Sequence, residues 1–140
     1  MRVEPNLRLE TLQIVGALAA FVALALPRGW AHRAGDDGFE AHAVELRVEQ
    51  GEAVRIVRLL LPVIIGRAAE AALVVADAQV SRMHARIDMV EGKLFLHDLG
   101  SRNGTLLNAR PIDAPVALRE GDEIDVGDAR IVMGGTSVWK

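Results

Sequence analysis

Residues 65–105 read IGRAAEAALVVADAQVSRMHARIDMVEGKLFLHDLGSRNGT, and this stretch decides the fold class. Short apolar runs alternate in it with turn-forming clusters such as Gly66-Arg67 and Asn103-Gly104. No run is long enough, or periodic enough at about 3.6 residues, to favour a helix. Short strands that carry polar loops on a rigid scaffold have this pattern, so the stretch predicts β structure with binding loops.

The same alternation continues on both sides of this stretch. Ten short apolar runs lie between turn residues, at 43–48, 54–61, 63–65, 73–75, 85–89, 94–98, 105–107, 116–118, 123–126 and 129–133. Runs of this length and spacing are typical of an all-β sandwich or barrel. We therefore predict an all-β fold for residues 42–140.

The composition limits the classes of function. The 140 residues suffice for one domain and an appendage, and a hydrophobic content of 51% can fill a core. A formal net charge of −3 disfavours broad electrostatic binding to nucleic acid. The absence of cysteine excludes a disulfide framework and a thiolate metal site. No cofactor is predicted.

The N-terminal part differs from the rest of the chain. Residues 11–27 contain no charged side chain, so a helix there would be apolar on almost every side. Such a helix would be about 25 Å long, against a hydrocarbon core of roughly 30 Å. Trp30 follows at the position of an interfacial aromatic residue. We predict a tail over 1–10, a single membrane-spanning helix over 11–27 and a flexible linker over 28–41.

Two other interpretations of residues 11–27 stay open. A cleaved signal peptide is one, because residues 23–25 resemble a cleavage site, although Glu4 and Glu10 precede the segment. A buried helix of a soluble protein is the other. Charge does not set the orientation, since the arginines on the two sides balance. These arginines are Arg2 and Arg8 before the segment, and Arg28 and Arg33 after it.

The turn clusters hold side chains that suit an oxyanion. Arg67 follows a glycine at a predicted strand end, and its guanidinium presents a planar fork that matches phosphate oxygens. The Ser81 hydroxyl can donate to an anion, and Arg82 adds positive charge. The amide of Asn103 offers a donor and an acceptor, which suits the backbone of an extended peptide. The simpler alternatives are a solvated arginine and an ordinary hairpin turn at Asn103-Gly104.

Catalytic and metal-binding alternatives fit the sequence less well. Ser81, His84 and Asp98 are the residue types of a hydrolase triad, but no Gly-x-Ser-x-Gly elbow is present. We expect His84 instead to point inward and tie its loop through the ring nitrogens. The acidic residues at 122–128 do not have the spacing of an EF-hand loop. We predict a binding protein that is not an enzyme and binds no metal.

Together the clusters resemble a forkhead-associated (FHA) domain over about residues 43–135. Four motifs of that family occur in order and at matching intervals, at Gly66-Arg67, Ser81 with His84, Asn103-Gly104 and Gly121-Asp122. The resemblance implies a β-sandwich of about eleven strands whose loops at one end bind phosphothreonine peptides. By position it implies a phosphate site of Arg67, Ser81 and Arg82, peptide contacts from Arg102 and Asn103, and architectural roles for Gly66, His84 and Gly104.

The functional hypothesis is a membrane-tethered reader of phosphothreonine. The resemblance implies a partner that is phosphorylated by a Ser/Thr kinase and recruited to the membrane. Residues 42–140 would then face the cytoplasm, where kinases and ATP are. The alternative is a phosphate-independent assembly module, as in secretion machinery, that uses the same sandwich. Retention of Arg67, Ser81 and Asn103 favours the reader.

Overall fold

The computed structural model describes residues 40–139, and these residues form eleven β-strands. The strands are β1 (Ala41–Gln50), β2 (Ala53–Leu60), β3 (Val63–Gly66), β4 (Leu73–Val74), β5 (Ala85–Val90), β6 (Lys93–Asp98), β7 (Leu106–Leu107), β8 (Arg110–Pro111), β9 (Val116–Leu118), β10 (Glu123–Val126) and β11 (Ala129–Trp139). Between residues 40 and 139 there is no helix, and therefore none that could cross a bilayer.

The strands are arranged in two sheets. The six-stranded sheet has the order β2-β1-β11-β10-β7-β8, and the five-stranded sheet has the order β4-β3-β5-β6-β9. All strand pairs are antiparallel except β3 with β4. Because consecutive side chains of a strand point to opposite faces, each sheet can bury one face and expose the other.

The core lies between the inner faces of the two sheets. In β1 the side chains of Val44, Leu46 and Val48 are buried at every second position, as the strand period requires. The five-stranded sheet contributes, among others, Ile65 and Ile87, both of which are fully buried. Burial of each such side chain stabilises the fold by roughly 1.5–3 kcal/mol. This core fixes the strand ends from which the candidate site is built.

The predicted all-β sandwich of about eleven strands is confirmed for the described residues. β8 was not predicted, and β11 continues to Trp139 although the last predicted run ends at residue 133. The turn between β7 and β8 places Asn108 and Ala109 at φ 49° and 67°. These angles give a hairpin turn whose second residue carries no turn signal in the sequence.

The predicted N-terminal elements lie outside the described residues. They are the tail over 1–10, the helix over 11–27 and the linker as far as residue 39. They remain predictions. β1 begins at Ala41, next to the predicted start of the domain at residue 42.

Candidate functional site

Gly66, the last residue of β3, lets two segments approach closely. Beyond it the Arg67 N–H donates to the Ser81 carbonyl at 3.0 Å and the Ala68 N–H donates to the Arg82 carbonyl at 3.1 Å. A Cβ atom on Gly66 would collide with the carbonyl oxygen of Arg82. Only glycine therefore permits this backbone contact without displacement. The contact brings Arg67 next to the segment that carries Ser81.

The side chain of Arg67 is oriented by a backbone carbonyl. Its Nε–H donates to the carbonyl oxygen of Val80 at 3.1 Å. This bond leaves the two terminal nitrogens of the guanidinium available, and the residue is exposed. Within residues 40–139 no carboxylate forms an ion pair with Arg67. The group is thus a fixed cation with donors left for an anion.

Ser81 joins the first loop to a second one. Its hydroxyl oxygen accepts the backbone N–H of Arg102 at 3.0 Å, so the hydroxyl hydrogen is still available to an anion. Its backbone N–H donates to Nδ1 of His84 at 3.0 Å. Arg67 and Ser81 therefore lie on segments that are hydrogen-bonded to each other.

His84 is fully buried and uses both ring nitrogens. Since Nδ1 accepts from Ser81, the hydrogen of the neutral ring is assigned to Nε2, which donates to the Gly104 carbonyl at 2.8 Å. Both partners are backbone groups. The hydrolase triad considered from the sequence, Ser81 with His84 and Asp98, is therefore not assembled.

Asp98 organises the loop that runs from β6 to β7. One carboxylate oxygen accepts the Ser101 N–H at 2.8 Å, and the other accepts the hydroxyls of Ser101 and Thr105. The Ser101 hydroxyl oxygen in turn accepts the Gly104 N–H at 3.0 Å. Gly104 has φ 84°, which favours glycine there. Partial burial raises the pKa of Asp98, but the hydrogen bonds from Ser101 and Thr105 outweigh it and hold that pKa below its ordinary value.

Asn103 has a role in the structure that the sequence analysis did not include. Its Nδ2 donates to the carbonyl of Gln79 at 2.8 Å, so the amide anchors one loop to another. The amide oxygen and the second N–H are left to meet a peptide backbone. The side chain is exposed.

The arginines of these loops form no ion pairs, unlike most other arginines in the described chain. Arg47, Arg58, Arg86 and Arg130 each form an ion pair with a carboxylate. Arg67, Arg82 and Arg102 are exposed and form none within residues 40–139, as is also true of Arg55, Arg110 and Arg119 elsewhere. The loops that carry Arg67, Arg82 and Arg102 therefore present three positive charges that no carboxylate of the described residues neutralises.

The fourth predicted motif, Gly121-Asp122, lies in a turn that the Asp122 side chain stabilises. Gly121-Asp122 forms the turn before β10, where the carboxylate of Asp122 accepts the Arg119 N–H at 2.8 Å and an N–H of the Asn108 side chain at 3.1 Å. Sequence reasoning also missed Asp77 and Gln79. Both residues alternate with apolar neighbours in residues 76–80, a local pattern that gives no sign of a supporting role.

Comparisons with known proteins identify the family to which this fold belongs. A family model, the FHA domain, matches residues 63–127. A solved structure of a phosphothreonine-dependent FHA domain superposes with a TM-score of 0.60 at 33% identity, over 66% of this chain and 96% of the other. The chain belongs to the FHA family.

Two further relatives of this FHA domain are informative. The FHA domain of FhaA, solved in complex with the intracellular domain of Rv3910, superposes with a TM-score of 0.58 at 33% identity, over 64% of this chain and 98% of the other. The oxoglutarate dehydrogenase inhibitor of Corynebacterium glutamicum is 42% identical over 68 residues, which are 49% of this chain and 47% of the inhibitor. The chain spans less than half the length of the curated relatives it matches.

Proposed function

We propose that this FHA domain binds phosphothreonine peptides and so recruits a protein that a Ser/Thr kinase has phosphorylated. One observation carries the proposal. The Arg67 guanidinium is held by the Val80 carbonyl, has no carboxylate partner in the described residues, and lies on a segment paired with Ser81. A phosphothreonine brings nearly two negative charges and three acceptor oxygens. Arg67 and the Ser81 hydroxyl supply the charge and the donors.

The other loop residues complete a peptide site. Asn103, once anchored through Gln79, has an acceptor and a donor for the main chain of an extended ligand. Arg82 would add positive charge to the phosphate site and Arg102 a contact to the peptide, and both residues are exposed. Gly66, His84 and Gly104 make no ligand contact in this proposal and hold the loops in place. Two similar FHA domains, one phosphothreonine-dependent and one solved with a protein partner, support this assignment.

The proposal includes a membrane tether. Residues 11–27 would form a single-pass anchor with the FHA domain in the cytoplasm, where kinases and ATP are. A tether raises the effective concentration of the site near membrane-bound partners, so a modest intrinsic affinity suffices. Carbonate extraction of cell membranes tests whether the chain is anchored. In a separate experiment, protease treatment of intact cells tests on which side of the membrane the domain lies. Release of the chain by carbonate, or cleavage of the domain from outside, would contradict it.

The binding proposal is tested with the 140-residue chain and a peptide library. Each peptide carries one phosphothreonine between randomised residues, and a twin library carries threonine. We expect enrichment of phosphorylated peptides only. Equal capture from both libraries, or none from either, would refute phosphate reading and favour the phosphate-independent assembly module. The best phosphorylated binder then serves as the probe for the variants below.

A further inference from the structure

Residues 76–80 form an anchor segment that leads into Ser81. Two consecutive carbonyls of this segment accept hydrogen bonds from side chains of the proposed site. The Gln79 carbonyl accepts Nδ2 of Asn103 at 2.8 Å, and the Val80 carbonyl accepts Nε of Arg67 at 3.1 Å. The positions of the peptide-binding and the phosphate-binding side chain therefore both depend on the anchor segment.

Asp77 fixes the shape of the anchor segment. One of its carboxylate oxygens accepts the Gln79 N–H at 3.1 Å, and its own carbonyl accepts the Val80 N–H at 3.0 Å. Together these bonds make an aspartate-stabilised turn. The second carboxylate oxygen accepts the N–H of Asp128 at 2.9 Å, from the turn between β10 and β11. The same carboxylate thus shapes the segment and ties it to the six-stranded sheet.

Two neighbouring residues, Gly127 and Gln50, support the contact between Asp77 and Asp128. A Cβ atom on Gly127 would collide with the carboxylate of Asp77. Nε2 of Gln50 donates to the Ala76 carbonyl and to the Asp128 carboxylate, both at 3.1 Å. Hydrogen bonds from the backbone of Gln79 and Asp128 lower the pKa of Asp77, so the carboxylate is ionised at neutral pH.

We propose that Asp77 is a positioning residue of the phosphopeptide site, which acts through the carbonyls of Gln79 and Val80 on Asn103 and Arg67. Asp77 does not touch the ligand. This inference rests on the proposed function, because the affinity it controls is affinity for a phosphopeptide. Removing a negative charge near an anion site would by itself raise affinity for the anion. A loss of affinity on removing the charge of Asp77 therefore separates positioning from simple electrostatics.

The first test compares two isosteric variants of the 140-residue chain with the phosphothreonine probe. Asp77→Asn replaces one acceptor oxygen by an amide that faces a backbone N–H, so one of the two carboxylate bonds is lost. Asp128→Asn removes a negative charge at the neighbouring residue. It keeps the backbone N–H of residue 128, which donates to the Asp77 carboxylate. We expect Asp77→Asn to weaken binding about 5- to 10-fold and Asp128→Asn to leave it unchanged or slightly stronger. Equal affinities for both variants would overturn the inference.

The second test needs no peptide. Nitrogen-15 NMR of the free chain reports the Nε–H of Arg67 and the side-chain amide of Asn103. In Asp77→Asn we expect faster hydrogen exchange at Arg67 Nε and a shifted Asn103 amide, with both unchanged in Asp128→Asn. Unchanged signals in Asp77→Asn would overturn the positioning role.

The two tests separate the two proposals. If the wild-type chain bound no phosphothreonine peptide, the proposed function would fail, while the NMR comparison would still decide whether Asp77 positions the two side chains. If Asp77→Asn does not fold, Asp77→Ser takes its place, because its hydroxyl can accept the Gln79 N–H but is too short for Asp128. The same losses in affinity and the same NMR changes are expected of it, and their absence would again overturn the inference.

Discussion

The imidazole of His84 donates to the Gly104 carbonyl at 2.8 Å, and this bond links the loop that carries Ser81 to the loop that carries Asn103. The other ring nitrogen accepts the Ser81 N–H. A neutral ring with one donor and one acceptor is the only form that satisfies both partners. The two halves of the proposed ligand site are therefore joined through one buried side chain.

His84→Ala should lower the free energy of unfolding by about 2–4 kcal/mol, because it leaves a cavity and removes the side-chain partner of the Ser81 N–H and of the Gly104 carbonyl. Urea denaturation measures this loss. His97→Ala is the comparison variant, since its partner Asp88 also pairs with Arg86 and keeps that partner, so a smaller loss is expected. Equal losses for the two variants would show that the His84 link is not structural.

Gly66→Ala should destabilise the chain by about 1–3 kcal/mol, because the new methyl group collides with the Arg82 carbonyl. The collision separates Arg67 from Ser81, so affinity for the phosphothreonine probe should fall as well. Gly135→Ala is the control, since a Cβ atom there meets no atom within 4 Å. Thermal unfolding and fluorescence polarisation measure the two effects. Wild-type affinity in Gly66→Ala would contradict the geometry at the end of β3.

Arg67→Ala should weaken binding of the phosphothreonine probe about 10- to 100-fold, since it removes charge-assisted hydrogen bonds to phosphate. Arg110→Ala removes one exposed positive charge from β8 and should change affinity less than about 2-fold. Isothermal titration calorimetry on both variants makes the comparison. Similar losses for the two would mean that general charge, and not the placement of Arg67, drives binding.

Asp98→Asn should lower the free energy of unfolding near neutral pH and have less effect in acid. The pKa of Asp98 is depressed in the folded state, so the ionised carboxylate stabilises the fold above its ordinary pKa of about 3.9. That stabilisation is lost as the pH falls through the folded-state pKa. Denaturant unfolding of both proteins over a pH series should show the difference narrowing below about pH 4. A pH-independent difference would contradict the role assigned to the charge.

The strands of the sandwich were predictable where their apolar runs were long. β5 and β6 are examples, because each contains a predicted run of five residues and the turn signal Glu91-Gly92 lies between them. β8 has two exposed residues and no periodicity, so no local pattern marks it. Gly134 and Gly135 resemble a break in β11. The strand instead continues there beside a shift in register between Val44 and Leu46 of β1, where Gly134 leaves room for the carbonyl of Glu45.

The sequence suffices to propose Arg67 and Ser81 for the candidate site, but not to propose the residues that support them. Arg67 and Ser81 stand in motifs of local spacing, so the sequence is enough to propose them. The carboxylate of Asp77 accepts the backbone N–H of Asp128, 51 positions away, and only the fold brings these two residues together. The bond from Asn103 to Gln79 likewise spans 24 positions and has no sequence signal. Residues that support the site in this way cannot be recognised from local sequence spacing, because their contacts form only in the folded protein.

In the proposed function a phosphate dianion docks at Arg67 and Ser81. The most direct measurement is calorimetric titration of the 140-residue chain with the probe peptide, phosphorylated and unphosphorylated, at neutral pH. We predict saturable binding of the phosphothreonine peptide and an affinity at least about 100-fold lower for its threonine twin, a difference of roughly 2.7 kcal/mol. Equal affinities for the two peptides would contradict the account.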